Sequence, residues 1–299
     1  MASIRSHLFK YYIKRRLRKA EAQSLLQRRS TMDKNIKRFK NAKGIAYQSV
    51  DVNGRPGEWL IPEHATTDAA VLYLHGGAYA LGSLDSHRSL ASHIAHASGT
   101  RVLAVDYRLA PEHPFPAALD DAVAAFNWIA QNTAIEPKRI IAMGDSAGGG
   151  LAIATALRLR DTNQPLPGAI ICMSPWTNLN LDGPSVNQLM GKDPFFASTD
   201  HLHEAASQYA VDYALNHPEI SPLFARLEGL PAIHVQVGEL EILLSDSLDL
   251  VAAAQRAGVA ATVDVWPGMW HVWQAFCDKM PESKKAIKEL GARVKASLS

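Results

Sequence analysis

The sequence predicts an α/β fold, a mostly parallel central sheet of about eight strands with helices on both faces. Three observations carry that prediction. Short apolar runs of strand length alternate with longer stretches of helical period along most of the chain, the pattern of βαβ units. The first two runs are instead joined by Asn53-Gly54, a hairpin signal, so they add an antiparallel edge. The 299 residues, 47% hydrophobic and 20% charged, can bury a large core, which excludes a disordered or collagen-like chain.

The elements follow in order. Residues 4–29 read as one basic helix, with Ile4, Leu8, Tyr11, Tyr12, Leu17, Leu25 and Leu26 on its apolar face. Gly44 marks the change to the first strand, residues 45–52, and the second lies near 58–61. Residues 70–74 form an apolar run too short for a helix and suited to a buried strand. Helices are expected over 86–98, 115–131, 147–160, 244–257 and 282–296. The remaining strands are expected at 101–105, 139–143, 169–173, 232–237 and 262–266. Residues 176–220 break the rhythm. They carry no apolar strand, are rich in Asn, Asp, His and Pro, and are too long for an ordinary connection. They are read as an insertion at the carboxyl end of the sheet, where α/β proteins place ligands.

Charge is unevenly spread. Residues 1–43 hold 14 Lys and Arg against 2 acidic residues, and the rest of the chain holds 17 against 27. A basic segment on an acidic body can dock on that body, touch an anionic lipid surface or bind nucleic acid. Docking is the preferred reading, peripheral membrane contact the alternative, and no nucleic-acid partner is expected. Lys and Arg interrupt every apolar stretch in the first 30 residues, which argues against a secretory signal. Two cysteines, Cys172 and Cys277, cannot make a disulfide framework or a zinc site, so a reduced, cytoplasmic chain is expected. No dinucleotide or phosphate-binding motif is present, and no cofactor or metal is expected. A homodimer is compatible with the chain.

Gly144-Asp-Ser-Ala-Gly148 lies between an expected strand and an expected helix, the context of a nucleophile elbow. The turn is sharp, so the flanking residues must be small, and it lifts the Ser146 hydroxyl above the sheet. It also sets the Ala147 N–H at a helix N-terminus, aimed at a developing oxyanion. His75-Gly-Gly-Ala78 follows the 70–74 strand, where an α/β-hydrolase finds the other half of its oxyanion hole. Gly76 and Gly77 are assigned as those donors, and His75 as a structural hydrogen-bonding residue. The hydrolase order of nucleophile, acid, His puts the base after the last strand, at His271. The acid should follow the 232–237 strand, which leaves Glu239, Glu241 and Asp246.

These stretches, with Asp106-Tyr-Arg-Leu-Ala-Pro-Glu-His-Pro-Phe-Pro-Ala117, resemble the hormone-sensitive-lipase-like family of α/β-hydrolase carboxylesterases over about 200 residues. The resemblance implies an α/β-hydrolase fold with a helical cap. It points to a serine esterase acting on short to medium acyl chains through an acyl-enzyme. The family places its acid three residues after the strand-ending Gly, usually as Asp before Pro. That position is Glu241, before Ile242. Ala78 stands where the family often has a third Gly. Residues 1–43 and 176–220 correspond to the family's cap, over a catalytic domain of residues 44–299. The stretch 106–117, with Arg108, is implied to brace the oxyanion loop, and Asp145 is read as structural. Lactones and amides suit the same machinery, as does a membrane-associated lipase. The gibberellin receptor, a non-catalytic small-molecule receptor, resembles the family but lacks the His that this chain keeps.

Overall fold

The computed structural model describes residues 3–17, 23–36 and 38–299. Its sheet comprises β1 (Ile45–Val52), β2 (Arg55–Pro62), β3 (Thr66–Leu74), β4 (Thr100–Val105), β5 (Ile140–Asp145), β6 (Ala169–Met173), β7 (Ala232–Gly238) and β8 (Ala261–Trp266). They run in the order β1-β2-β4-β3-β5-β6-β7-β8. The hairpin pairs Ile45 with Pro62 through Val52 with Arg55, and β2 runs antiparallel to β4; every other pairing is parallel. The chain steps from β3 out to β4 and then back across to β5. Connections from β3 and β5 therefore leave in opposite directions, which opens a crevice at their carboxyl ends.

Alternate side chains of each strand feed two cores. On one face Leu72, Leu103, Ala142 and Ile170 pack under α4 (Ala117–Asn132), α5 (Ala147–Asp161) and α8 (Leu244–Arg256). On the other, Val71, Val102, Ile141 and Ile171 pack under α3 (Leu84–Ser98) and α9 (Pro281–Ser297). Leu290 and Val294 of α9 are fully buried, and truncating Leu290 to Ala would cost roughly 2–5 kcal/mol. Helix α5 is apolar almost all round because it is enclosed on every side. Two further helices, α6 (Pro184–Leu189) and α7 (Asp200–Ala210), lie in the long insertion, which has no strand.

The expected helix over 4–29 is instead α1 (Ile4–Leu17) and α2 (Leu25–Ile36), with residues 18–22 outside the described set. The start of α2 has a physical cause. Ser24 Oγ accepts from Gln27 N–H at 3.4 Å and Gln27 Oε1 accepts from Ser24 N–H at 3.0 Å, a reciprocal cap. The expected apolar face is also corrected. Ile4, Leu8 and Tyr11 are 80%, 67% and 70% exposed, whereas Ser6 and Ile13 are buried. Phe9 reaches the Phe276 ring edge-on at 5.1 Å. No described helix is long and apolar enough to cross a membrane.

Candidate active site

Ser146 is the turn between β5 and α5, with φ 52° and ψ −123°, a conformation a non-glycine residue adopts only under constraint. The constraint is visible in the backbone. Ser146 N–H donates to the Met173 carbonyl at 2.9 Å, and its own carbonyl accepts from Trp176 N–H at 2.9 Å and Gly149 N–H at 3.0 Å. A Cβ on Gly148 would collide with the Leu74 carbonyl, so the elbow can press against the end of β3 only with glycine there.

His271 lies in the loop after β8, with Nε2 3.0 Å from Ser146 Oγ and Nδ1 2.9 Å from Glu241 Oε2. A carboxylate only accepts, so Nδ1 carries the proton and the Nε2 lone pair faces the serine hydroxyl. Burial alone would disfavour the imidazolium. The Glu241 hydrogen bond and charge, with Asp193 and Asp145 behind them, outweigh it and hold the His271 pKa above its ordinary 6.5. Glu241 is wholly buried. Its Oε1 accepts from Ser174 Oγ at 2.9 Å and from Gly238 N–H.

The three acids left open by the sequence occupy different places. Glu239 is exposed and accepts from Gly268 N–H at 2.8 Å. Asp246 is buried at the base of the insertion, where Oδ2 accepts from Thr177 and Asn178 N–H, each at 2.9 Å. Burial pushes its pKa up to about 7. Glu241 alone of the three bonds to His271.

On the opposite side of Ser146 the loop after β3 requires one correction. Gly76 N–H donates to Asp145 Oδ1 at 3.0 Å, so the expected oxyanion donor is already committed to a carboxylate. Asp145 also accepts from Tyr73 OH and lies 3.6 Å from His87 Nε2. Burial opposes its charge, but His87, with the hydrogen bonds, holds its pKa below the usual value. Among the described residues the Gly77, Ala78 and Ala147 N–H groups make no hydrogen bond. Ala78 has φ 55°, which turns the loop tightly over the crevice. His75 is buried and stacks on Tyr107 with centroids 4.2 Å apart. Burial lowers its pKa to about 3, so it stays neutral. Tyr107 OH donates to the His75 carbonyl at 2.6 Å beneath the same loop, whereas Arg108 pairs with Asp121 at 2.7 Å and with the Ala117 carbonyl of α4.

Sequence reasoning missed several residues here. Ser174 bridges Glu241 to the His271 loop by accepting from Val272 N–H at 3.1 Å. Arg29 of α2 donates to the carbonyls of Ala80 and Ala110 at 2.8 and 2.9 Å and pairs with Glu112. Asp193 accepts from His271 N–H at 2.8 Å. In the sequence Asp193 sits before Pro194 and reads as a plain turn. A cavity of about 130 Å³ lies between α2, the Gly77–Ala78 turn and α7, bordered by Leu25, Arg28, His201 and Gln208.

The fold and this geometry together define an α/β hydrolase. Comparison with known proteins narrows the class. Residues 71–275 match a family described by the α/β hydrolase fold. The chain is 41% identical over 266 residues to an acetyl-hydrolase of Streptomyces hygroscopicus, covering 89% of this chain and 88% of that one. It is 34% identical over 291 residues to an esterase of Acinetobacter venetianus, covering 95% of each. The crystal structure of an esterase from the bacterial hormone-sensitive lipase family superposes with a TM-score of 0.95 at 38% identity, over 100% of both chains. The chain belongs to this α/β-hydrolase family, within its hormone-sensitive-lipase-like group, and is a carboxylester hydrolase.

Proposed function

We propose that Ser146, His271 and Glu241 form the catalytic triad of an esterase for short to medium acyl chains. The observation that carries this is the continuous path from Ser146 Oγ through the imidazole to the buried Glu241, at 3.0 and 2.9 Å. Ser146 Oγ attacks the ester carbonyl as His271 Nε2 takes its proton. The imidazolium formed is stabilised by Glu241 and then protonates the departing alkoxide, leaving an acyl-enzyme. Water enters, His271 removes its proton, and collapse of the second tetrahedral species expels the acid and restores Ser146.

The oxyanion falls between the α5 N-terminus and the loop after β3. Ala147 N–H supplies one donor. With Gly76 N–H held by Asp145, the loop's donors become Gly77 and Ala78. Removing one such donor costs about 10²–10³ in kcat. The acetyl-hydrolase relative favours short acyl groups. Helices α1 and α2, with residues 176–220, act as the cap of the site, through Arg29 on the oxyanion loop and Arg28 against His201 at 3.3 Å. A series of p-nitrophenyl esters tests the reading. The highest kcat/KM is expected at acetate to butyrate, and an optimum beyond about ten carbons overturns it.

One observation favours an added property. Ile4, Leu8 and Tyr11 lie at helical spacing, are exposed, and have the exposed Arg5 and Arg15 around them. This stripe fits an anionic lipid surface, with apolar side chains entering the headgroup layer and the cations above it. Co-sedimentation with anionic vesicles, lost on Leu8→Glu and in neutral vesicles, is expected. Equal sedimentation of both proteins refutes it.

A further inference from the structure

We propose that Asp193 is a positioning residue for the reaction, pinning the His271 backbone and setting a second carboxylate beside the imidazole. The segment lying over the site thereby also holds its base. This rests on the triad reading above.

Asp193 comes from the insertion, between α6 and α7, and is 1% exposed. Its Oδ2 accepts from His271 N–H and its Oδ1 from Phe195 N–H, each at 2.8 Å. The next amide, Val272 N–H, is held by Ser174 Oγ, which bonds to Glu241. Two consecutive amides of the base-bearing loop are therefore fixed by two carboxylates, Asp193 directly and Glu241 through one hydroxyl. The loop needs such a hold. Val272 has φ 47°, a left-handed conformation costly for a β-branched residue, so its backbone persists only if its surroundings over-determine it. The same segment covers the imidazole from the side, with the Phe196 ring edge-on at 5.1 Å.

Charge gives Asp193 its second effect. The groups that face it are His271, Glu241 and Lys10 of α1. Lys14 of α1 donates to the Gly191 carbonyl at 2.9 Å, tying that helix to the same loop. An anion here favours the imidazolium that forms when Ser146 attacks, and its burial weakens solvent screening. Burial, with Glu241 adding to it, pushes the Asp193 pKa up to about 7 despite the opposing pull of His271. Asp193 therefore changes charge across the range in which the enzyme must work. Ionised, it raises the pKa of His271; protonated, it keeps an acceptor but loses the field. The two groups titrate as a pair with two macroscopic steps.

Asp193→Asn keeps the shape and one acceptor and removes the charge. On a soluble p-nitrophenyl ester, kcat is expected to fall about tenfold while KM stays within about twofold. The acid limb of kcat/KM is expected to move to lower pH by about half a unit to one unit, because His271 loses an anion that favoured its proton. Asp193→Ala, which also orphans the His271 amide, is expected to lose more. A residue with a merely structural role would lower the melting temperature without moving the pH limb. An unshifted limb with unchanged kcat in Asp193→Asn, or a loss confined to KM, overturns the proposal. Should Asp193→Asn not fold, NMR titration of His271 in the unaltered protein decides: two inflections are expected, and a single one overturns it. Activity in Ser146→Ala and His271→Ala would instead sink the triad reading, so the two failures are separable.

Discussion

The loops that carry Ser146, Glu241 and His271 and the segments proposed as the cap, α1, α2 and residues 176–220, are held by different physics. The loops are short and tied by main-chain bonds. Ser146 is bonded through its N–H to the end of β6 and through its carbonyl to the segment that follows, and its positive φ is sustained by that over-determination. The overlying segments rely on side chains: Arg29 on two carbonyls and Glu112, Asp33 on the Ser83 hydroxyl at 2.7 Å, and Phe9 and Ile13 on the cluster around Trp270 and Phe276. Rigid backbone fixes the reacting atoms to tenths of an ångström. Side-chain anchoring lets access and selectivity change without disturbing the elbow. Asp193 is where the two regions meet, because a side chain of the overlying segment grips a loop of the other.

That contrast can be broken from either end. The largest effect is expected in the rigid region. Ser146→Ala should lower kcat by about 10⁴–10⁶, leaving only oxyanion binding, while the melting temperature holds, because alanine keeps the Cβ and the same backbone conformation. Hydrolysis near the unaltered rate would break the reading. Glu241→Gln should cost about 10³ or more in kcat, since glutamine fills the site but cannot stabilise the imidazolium. In the unaltered enzyme the acid limb of kcat/KM should lie above 6.5, because His271 must lose its proton to act and its pKa is raised. A limb below 6.5 would mean that burial outweighs Glu241.

Smaller effects belong to the softer region. Deleting residues 1–40 should leave the sheet folded and reduce kcat/KM about tenfold on longer acyl chains, less on acetate, as water reaches the pocket. Unchanged kinetics on every soluble ester would refute the cap and leave only the lipid-surface role. Asp246→Asn should change the rate less than about threefold. Its partners are two amides of the insertion, and asparagine oxygen can accept from them. If this change proved more damaging than Glu241→Gln, the acid would be misassigned.

Much of the rigid region was legible in the sequence, for physical reasons. Five-residue apolar runs flanked by turn residues have few structural solutions, and β6 lies at residues 169–173 as the pattern predicts. Gly144 and Gly148 around Ser146 state a steric demand that the structure shows directly. The softer region was less legible. The apolar face of residues 4–29 was placed by periodicity, but α1 packs through Phe9 and Ile13, because its partner is an aromatic cluster formed far along the chain. Ser24-Leu-Leu-Gln27 carries a capping signal that breaks the single helix. Nothing local marks Asp193, whose role exists only once residues 193 and 271 are brought together. The commitment of the Gly76 N–H is likewise invisible locally, because its partner, Asp145, lies at the end of a neighbouring strand 69 residues away.

The central claim is that Ser146 is an activated nucleophile, and covalent labelling tests it most directly. Fluorophosphonate treatment followed by peptide mass spectrometry should modify one residue per chain, Ser146, with loss of activity in proportion. Labelling should slow by orders of magnitude in His271→Ala, which keeps the serine but removes its base. Modification at another residue, or equally fast labelling without His271, would contradict the account.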